Sequence, residues 1–233
     1  MKTIVSPRAE LLKSVSEEIC AFIREKPNAA ITMSVDSTMF PIWECLASAV
    51  QTGKLSMEKV RFFQTAEFLD VGRENSLRRL TEDRLIAVTD LQPENCRWFD
   101  DYAEVDAYED AIQEAGGLDL AVLGIGNNAH VGLNEPGTQF DTCCRIQKLT
   151  NKTKDQYSWL FDGKEPVPEK ACTMGIRTLI KAKKILVICL GTEKAKATFD
   201  MLYARDDSTV PAAFLQLPFD VTVYADTEAG EKL

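Results

Sequence analysis

Histidine is all but missing from this chain: His130 is the only one in 233 residues, so any imidazole chemistry has a single address. No apolar run reaches the roughly 20 residues needed to cross a bilayer. Residues 1–5 are too short and too quickly charged for a secretory signal, so a cytoplasmic protein without a membrane partner is expected. Paired cysteines are missing too. Cys20, Cys45, Cys96, Cys143, Cys144, Cys172 and Cys189 are odd in number, and none stand at zinc-like spacing. They read as reduced, mostly buried thiols, the adjacent Cys143 and Cys144 included, with no metal and no cofactor expected. Basic charge is in deficit, with a net charge of −9 and no basic stripe, which disfavours nucleic acid and anionic membranes. An anionic small molecule would need a locally positive pocket. Internal repeats, long linkers and a disorder signature are likewise absent.

What is present is a regular alternation of helical and strand patterns. After Ser6 and Pro7, the spacing of Leu11, Leu12, Val15, Ile19, Phe22 and Ile23 predicts an amphipathic helix ending near Pro27. Residues 29–35, AAITMSV, read as a strand whose turn, Asp36-Ser37-Thr38, leads into a helix ending at Gly53. Residues 60–65, VRFFQT, read as a strand that passes through Ala66 and Glu67 into an irregular segment, followed by a helix over 75–85 and a strand at 86–90. The acidic stretch 100–114, with Ala103 and Ala107 among its acids, reads as a solvated helix face after a loop at 93–98. Further strands are expected at 118–123, 146–149, 170–175, 184–190 and 221–224. The helices between them fall at 151–161, 177–182 and 193–203. Six or seven strands alternating with helices predict one domain over 1–233. Its expected form is a three-layer α/β/α sandwich on a mostly parallel, Rossmann-like sheet.

The stretch 118–137, LDLAVLGIGNNAHVGLNEPG, runs from a buried strand through a glycine-bearing turn to the lone histidine. Ligands of open α/β sheets collect at the carboxyl ends of strands, which is where Asn128, His130, Asn134 and Glu135 fall. A histidine there is either satisfied by a nearby carbonyl or functional.

GIGNNAHVGLNEPG resembles the signature of the glucosamine-6-phosphate deaminase family, GxGxDGH followed by NEP. Spacing and apolar pattern match it as far as EKAKA at 193–197, and AGGLDLAVLGIG at 115–126 resembles the galactosamine-6-phosphate isomerase branch. The NEP triplet separates the chain from the related 6-phosphogluconolactonases. The resemblance implies ring opening, aldose–ketose isomerisation and loss of ammonia from a 2-amino-2-deoxyhexose 6-phosphate. In that scheme His130 opens the ring, oriented by Glu135, and Asn128 replaces the family's aspartate two residues before the histidine. The family's proton-shuttling aspartate, which precedes a glutamate, is here Ala66, so Glu67 or Asp70 would have to carry the proton.

For substrate binding, the resemblance points to Ser37, Thr38, Gly126, Asn127, Thr173 and Lys194, of which Ser37, Thr38, Thr173 and Lys194 belong to the phosphate site, with Asp36 standing where glycine is usual. Three readings follow: an amino-sugar-phosphate deaminase/isomerase with an altered catalytic set, a non-catalytic sugar-phosphate-binding paralogue, or a 6-phosphogluconolactonase-like ring hydrolase. Assembly as a homo-oligomer stays open.

Overall fold

A computed structural model describes residues 1–101, 104–162, 165–204 and 208–233. The chain opens with strand β1 (Lys2–Ser6) and helix α1 (Arg8–Glu25), whose Leu11, Val15, Ile19 and Ile23 recur every fourth residue and are all buried. Ser6 lies in β1, and α1 begins without a side-chain cap. Then come β2 (Ala30–Met33), α2 (Phe40–Gln51) with proline in its first turn, β3 (Arg61–Phe63), β4 (Ala66–Phe68) and α3 (Leu77–Arg84), capped by Ser76. Next are β5 (Cys96–Arg97), α4 (Val105–Glu114), β6 (Leu120–Gly124), β7 (Arg145–Lys148) and α5 (Asn151–Tyr157), capped by Thr150. The last elements are β8 (Lys170–Thr173), α6 (Ile176–Ile180), β9 (Lys184–Cys189), α7 (Ala195–Tyr203) and β10 (Val221–Asp226).

Seven strands form one parallel sheet in the order β1-β10-β9-β6-β2-β3-β5. Its two faces carry separate apolar clusters. Leu120 and Val122 of β6 pack in one with α1 and α2, and Ala121 and Leu123 in the other with α6 and α7. Burial on both faces is why these strands read as unbroken apolar runs. The α/β/α layering agrees with the sequence reading. The chain proceeds from β2 outward through β3 and β5, then returns to β6 and proceeds the other way through β9 and β10. The crevice between β2 and β6 is thus the topological switch point, where open α/β sheets bind ligands.

Several expected elements differ. Residues 86–90 form a 3₁₀ turn at Ile86–Val88 rather than a strand. β1 and β5 are edge strands of the main sheet, too short or too polar to announce themselves. The irregular segment expected after residue 65 contains β4, which joins β8 and β7 in an antiparallel three-stranded sheet. The strands expected at 146–149 and 170–175 therefore belong to this second sheet. In the acidic stretch, Ala103 lies outside the described residues. Glu109 departs from a solvated face: it is buried and accepts hydrogen bonds from Cys144 N–H (3.1 Å) and the Thr178 hydroxyl (2.6 Å). All seven cysteines are free thiols.

Candidate active site

Two turns meet over the switch point: residues 34–38 after β2, and 124–130 after β6. Gly126 N–H donates to the His130 carbonyl at 2.8 Å, folding the second turn back on itself, and the imidazole lies flat against Gly126. A Cβ at that glycine would stand 2.2 Å from His130 Cε1, so only glycine lets the ring seat there. Ala129 has φ of +61°, a conformation that costs a non-glycine residue about 1 kcal/mol and that the family signature assigns to glycine. Its carbonyl accepts Ala212 N–H at 2.9 Å, which helps to hold it.

His130 is buried and held through one nitrogen. Its Nδ1 is 2.7 Å from Asn128 Oδ1 and 3.0 Å from Thr153 Oγ1. Asn128 Nδ2 donates in turn to Glu135 Oε2 at 3.0 Å, and Glu135 also accepts Thr150 N–H (2.8 Å) and the Thr150 hydroxyl (3.1 Å). A carboxylate can only accept, so the Asn128 amide must turn its NH₂ to Glu135 and its oxygen to His130. The imidazole therefore carries its proton on Nδ1 and leaves Nε2 as a free base. Burial, and then the Lys194 charge, push the imidazole pKa down to about 3. The ring stays neutral across the physiological range. Glu135 thus orients His130 through Asn128, not by the direct contact expected of it. Thr150 and Thr153, absent from the sequence-derived set, complete the arrangement; Thr150 was recognisable as a helix cap, but nothing local tied either to the histidine.

Of the residues expected at the phosphate, Thr38 and Lys194 are both buried. Lys194 closes a 3₁₀ turn that follows Gly191, at φ of +90°, and Asp226 pins that turn by accepting Gly191 N–H at 3.0 Å. The lysine is only 6% exposed, far from the surface cation it could have been. Burial lowers its pKa against the opposing pull of Asp36 and then Glu193. Asp36 Oδ1 accepts Thr38 N–H at 2.8 Å. Ser37 is exposed, as is Asn127, whose N–H donates to Gln156 of α5.

Alternation along β4 separates its two candidate positions. Ala66 lines the cavity of His130 together with Asp36, Thr65, Leu77 and Tyr157. Glu67 faces the other way, toward a separate cavity of about 550 Å³ that Asp70 also lines. There the Glu67 carboxylate accepts Phe68 N–H (2.8 Å), Leu77 N–H (2.9 Å), Arg78 N–H (2.8 Å) and the Gln64 amide (2.8 Å), fixing the start of α3. Burial raises its pKa even so. Neither Glu67 nor Asp70, the expected proton carriers, is among the residues lining the cavity of His130. Thr173 is also withdrawn, its hydroxyl accepting Leu133 N–H at 3.0 Å and donating to the Met174 carbonyl. Asn134 is fully buried and ties the NEP turn to Val131, Met174 and Arg145.

The His130 cavity measures about 10 Å³, room for about one water molecule. Leu77 of α3 and Tyr157 of α5 are among the residues that line it. Among the described residues no cluster of three or more metal-ligating side chains occurs, and no helix is long and apolar enough to cross a membrane.

This geometry has close counterparts. The glucosamine-6-phosphate deaminase of Clostridium novyi (strain NT) is 33% identical over 231 residues, 96% of each chain. That of Halalkalibacterium halodurans is 34% identical over 218 residues, 91% of this chain and 89% of the other. A solved structure described as a monomeric glucosamine-6-phosphate deaminase superposes with a TM-score of 0.94 at 30% identity, covering 99% of both chains. The 6-phosphogluconolactonase of Thermotoga maritima shares the fold, with a TM-score of 0.75 at 20% identity over 97% of this chain and 98% of the other. The sequence profile of the glucosamine-6-phosphate isomerases/6-phosphogluconolactonase family matches residues 7–223, and this chain belongs to that family.

Proposed function

We propose that this chain is an enzyme of the amino-sugar-phosphate deaminase/isomerase type, acting at C1 and C2 of a 2-amino-2-deoxyhexose 6-phosphate. The observation that carries the reading is the hydrogen-bonded series Glu135, Asn128, His130, which presents Nε2 as a neutral base at the switch point. In ring opening, Nε2 takes the proton of the anomeric hydroxyl and returns it to the ring oxygen. The imidazolium formed in between is not neutralised at Nδ1, because Asn128 is uncharged; Glu135 acts on it through the amide. The 1,2-proton transfer that follows needs a carboxylate, and the position beside the cavity is a methyl group, Ala66. Without that base the step loses about 10²–10⁴-fold in rate.

The test is ammonia release from glucosamine and galactosamine, each with and without a 6-phosphate. Slow release by the wild type, abolished in a folded His130→Ala variant, is the expected result. Ammonia release by that variant at the wild-type rate would remove His130 from the mechanism. Ala66 favours one second reading: hydrolysis of a 6-phosphogluconolactone needs no 1,2-proton transfer. Lactone turnover without any ammonia release from the amino sugars would select it, and neither turnover would leave the binding paralogue.

A further inference from the structure

Two glycines at the end of β6 each leave room for the tip of a side chain that can take a proton. A Cβ built on Gly124 would stand 2.7 Å from Asp36 Oδ2, and one built on Gly126 would stand 2.6 Å from His130 Nε2. Ile125, between them, forms a β-bridge with Val131. Residues two apart on such an extended segment present the same face at a spacing of about 7 Å. The Asp36 carboxylate and the His130 imidazole therefore lie side by side over the strand end. Both line the cavity that Ala66 lines, and Asp36 supplies the one carboxylate among its lining residues. Asp36 Oδ1 accepts Thr38 N–H at 2.8 Å, whereas Oδ2 accepts no hydrogen bond from the described residues. One oxygen of this half-buried carboxylate is held in place, and the other is open toward the reacting end of the site.

We propose that Asp36 carries the proton between C2 and C1 in this chain, acting through Oδ2 in place of the carboxylate missing at position 66. This deepens the deaminase reading and rests on it. Once His130 has opened the ring, Asp36 Oδ2 takes the C2 proton of the aldehyde form, and the C2–H electron pair becomes the C1–C2 double bond. A proton of the C2 ammonium passes to the C1 oxygen. Asp36 then returns its proton to C1, which regenerates the carboxylate and leaves an iminium at C2. Water adds at C2 and ammonia leaves, giving the ketose 6-phosphate. Asp36 approaches from β2 and is held there by Thr38 N–H, so it serves C2 less directly than a carboxylate on β4 would. The slow ammonia release expected of the wild type is thus the share that Asp36 carries.

Two assays separate this step from the ring opening before it. One follows ammonia release and loss of deuterium from glucosamine 6-phosphate labelled at C2; the other follows, by exchange NMR, interconversion of the anomers of glucose 6-phosphate, which needs ring opening alone. Asp36→Asn keeps an acceptor for Thr38 N–H but cannot take a proton. It should lose about 10²-fold in ammonia release and in C2 label loss, through kcat, while anomer interconversion continues. Ala66→Asp added to Asp36→Asn should restore ammonia release, which shows that the site is still formed. Ammonia release by Asp36→Asn at the wild-type rate would overturn the proposal. So would an equal loss in both assays, which would make Asp36 a support of the site as a whole, and so would a wild type that leaves the C2 label in place. Anomer interconversion untouched by His130→Ala would instead overturn the reading of the site beneath the proposal, and the proposal with it.

Discussion

Asn128 can bridge His130 and Glu135 in only one orientation, and that orientation fixes the imidazole tautomer. An aspartate in its place would set a negative charge beside Nδ1 and raise the histidine pKa. Because His130 is the only histidine, its ring resonances can be assigned without ambiguity. In the wild type they should not titrate between pH 5 and 8, the folded value lying near 3. The sign for stability follows: between about pH 6.5 and 3 the unfolded chain binds a proton that the folded ring refuses, so folding weakens as pH falls through that window. In Asn128→Asp the NMR titration midpoint should move upward, and the acid limb of kcat/KM should move with it. A wild-type ring that titrates at an ordinary histidine pH would show that burial in this cavity does not control it.

Within β4, one residue of offset decides between a catalytic position and a structural one. Ala66→Asp points a carboxylate into the His130 cavity, and ammonia release should rise about 10²–10⁴-fold as the 1,2-proton transfer regains a base. Glu67→Ala acts on the other face. It strands the peptide N–H groups of Phe68, Leu77 and Arg78, and urea unfolding should show a loss of about 3 kcal/mol. Glu67→Gln, which retains one acceptor, should lose less. A Glu67→Ala variant as stable as the wild type but inactive would return Glu67 to the chemistry.

Across the whole molecule, buried aspartates tie distant segments to the sheet. At the amino end of β6, Asp119 accepts Lys26 and Lys183 ammonium groups at 2.7 Å each and Ala30 N–H at 2.9 Å, joining the ends of α1, β2 and α6. Burial alone would raise its pKa, but the bonds from Lys183, Lys26 and Ala30 outweigh this and hold it below the ordinary value. Asp226, on β10, is likewise lowered, its bonds from Ala229, Gly191 and Arg8 overcoming the cost of burial. Such carboxylates give their full stabilisation above the unfolded pKa of about 4 and lose it as pH falls through the lower folded value. Both lysines on Asp119 are partly exposed, so Asp119→Asn should cost only about 2 kcal/mol at pH 7. The gap from wild type in urea unfolding should shrink toward zero near pH 2. A gap independent of pH would trace the loss to packing rather than charge.

The sequence by itself determined the layering. Runs such as residues 184–190 are apolar on both faces of a strand, and α1 repeats its apolar residues every fourth position; both are local periodicities that survive without tertiary context. The lone histidine and the NEP triplet likewise marked the strand end where the site lies. Only the tertiary structure decided which way the three-residue β4 turns Ala66 and Glu67, because so short a segment has no period to read. It also decided that Glu135 reaches His130 through Asn128 and that Thr153 from α5 joins them. Those contacts form beyond the carboxyl end of β6, a central strand, and no local pattern encodes a meeting between residues on separate elements.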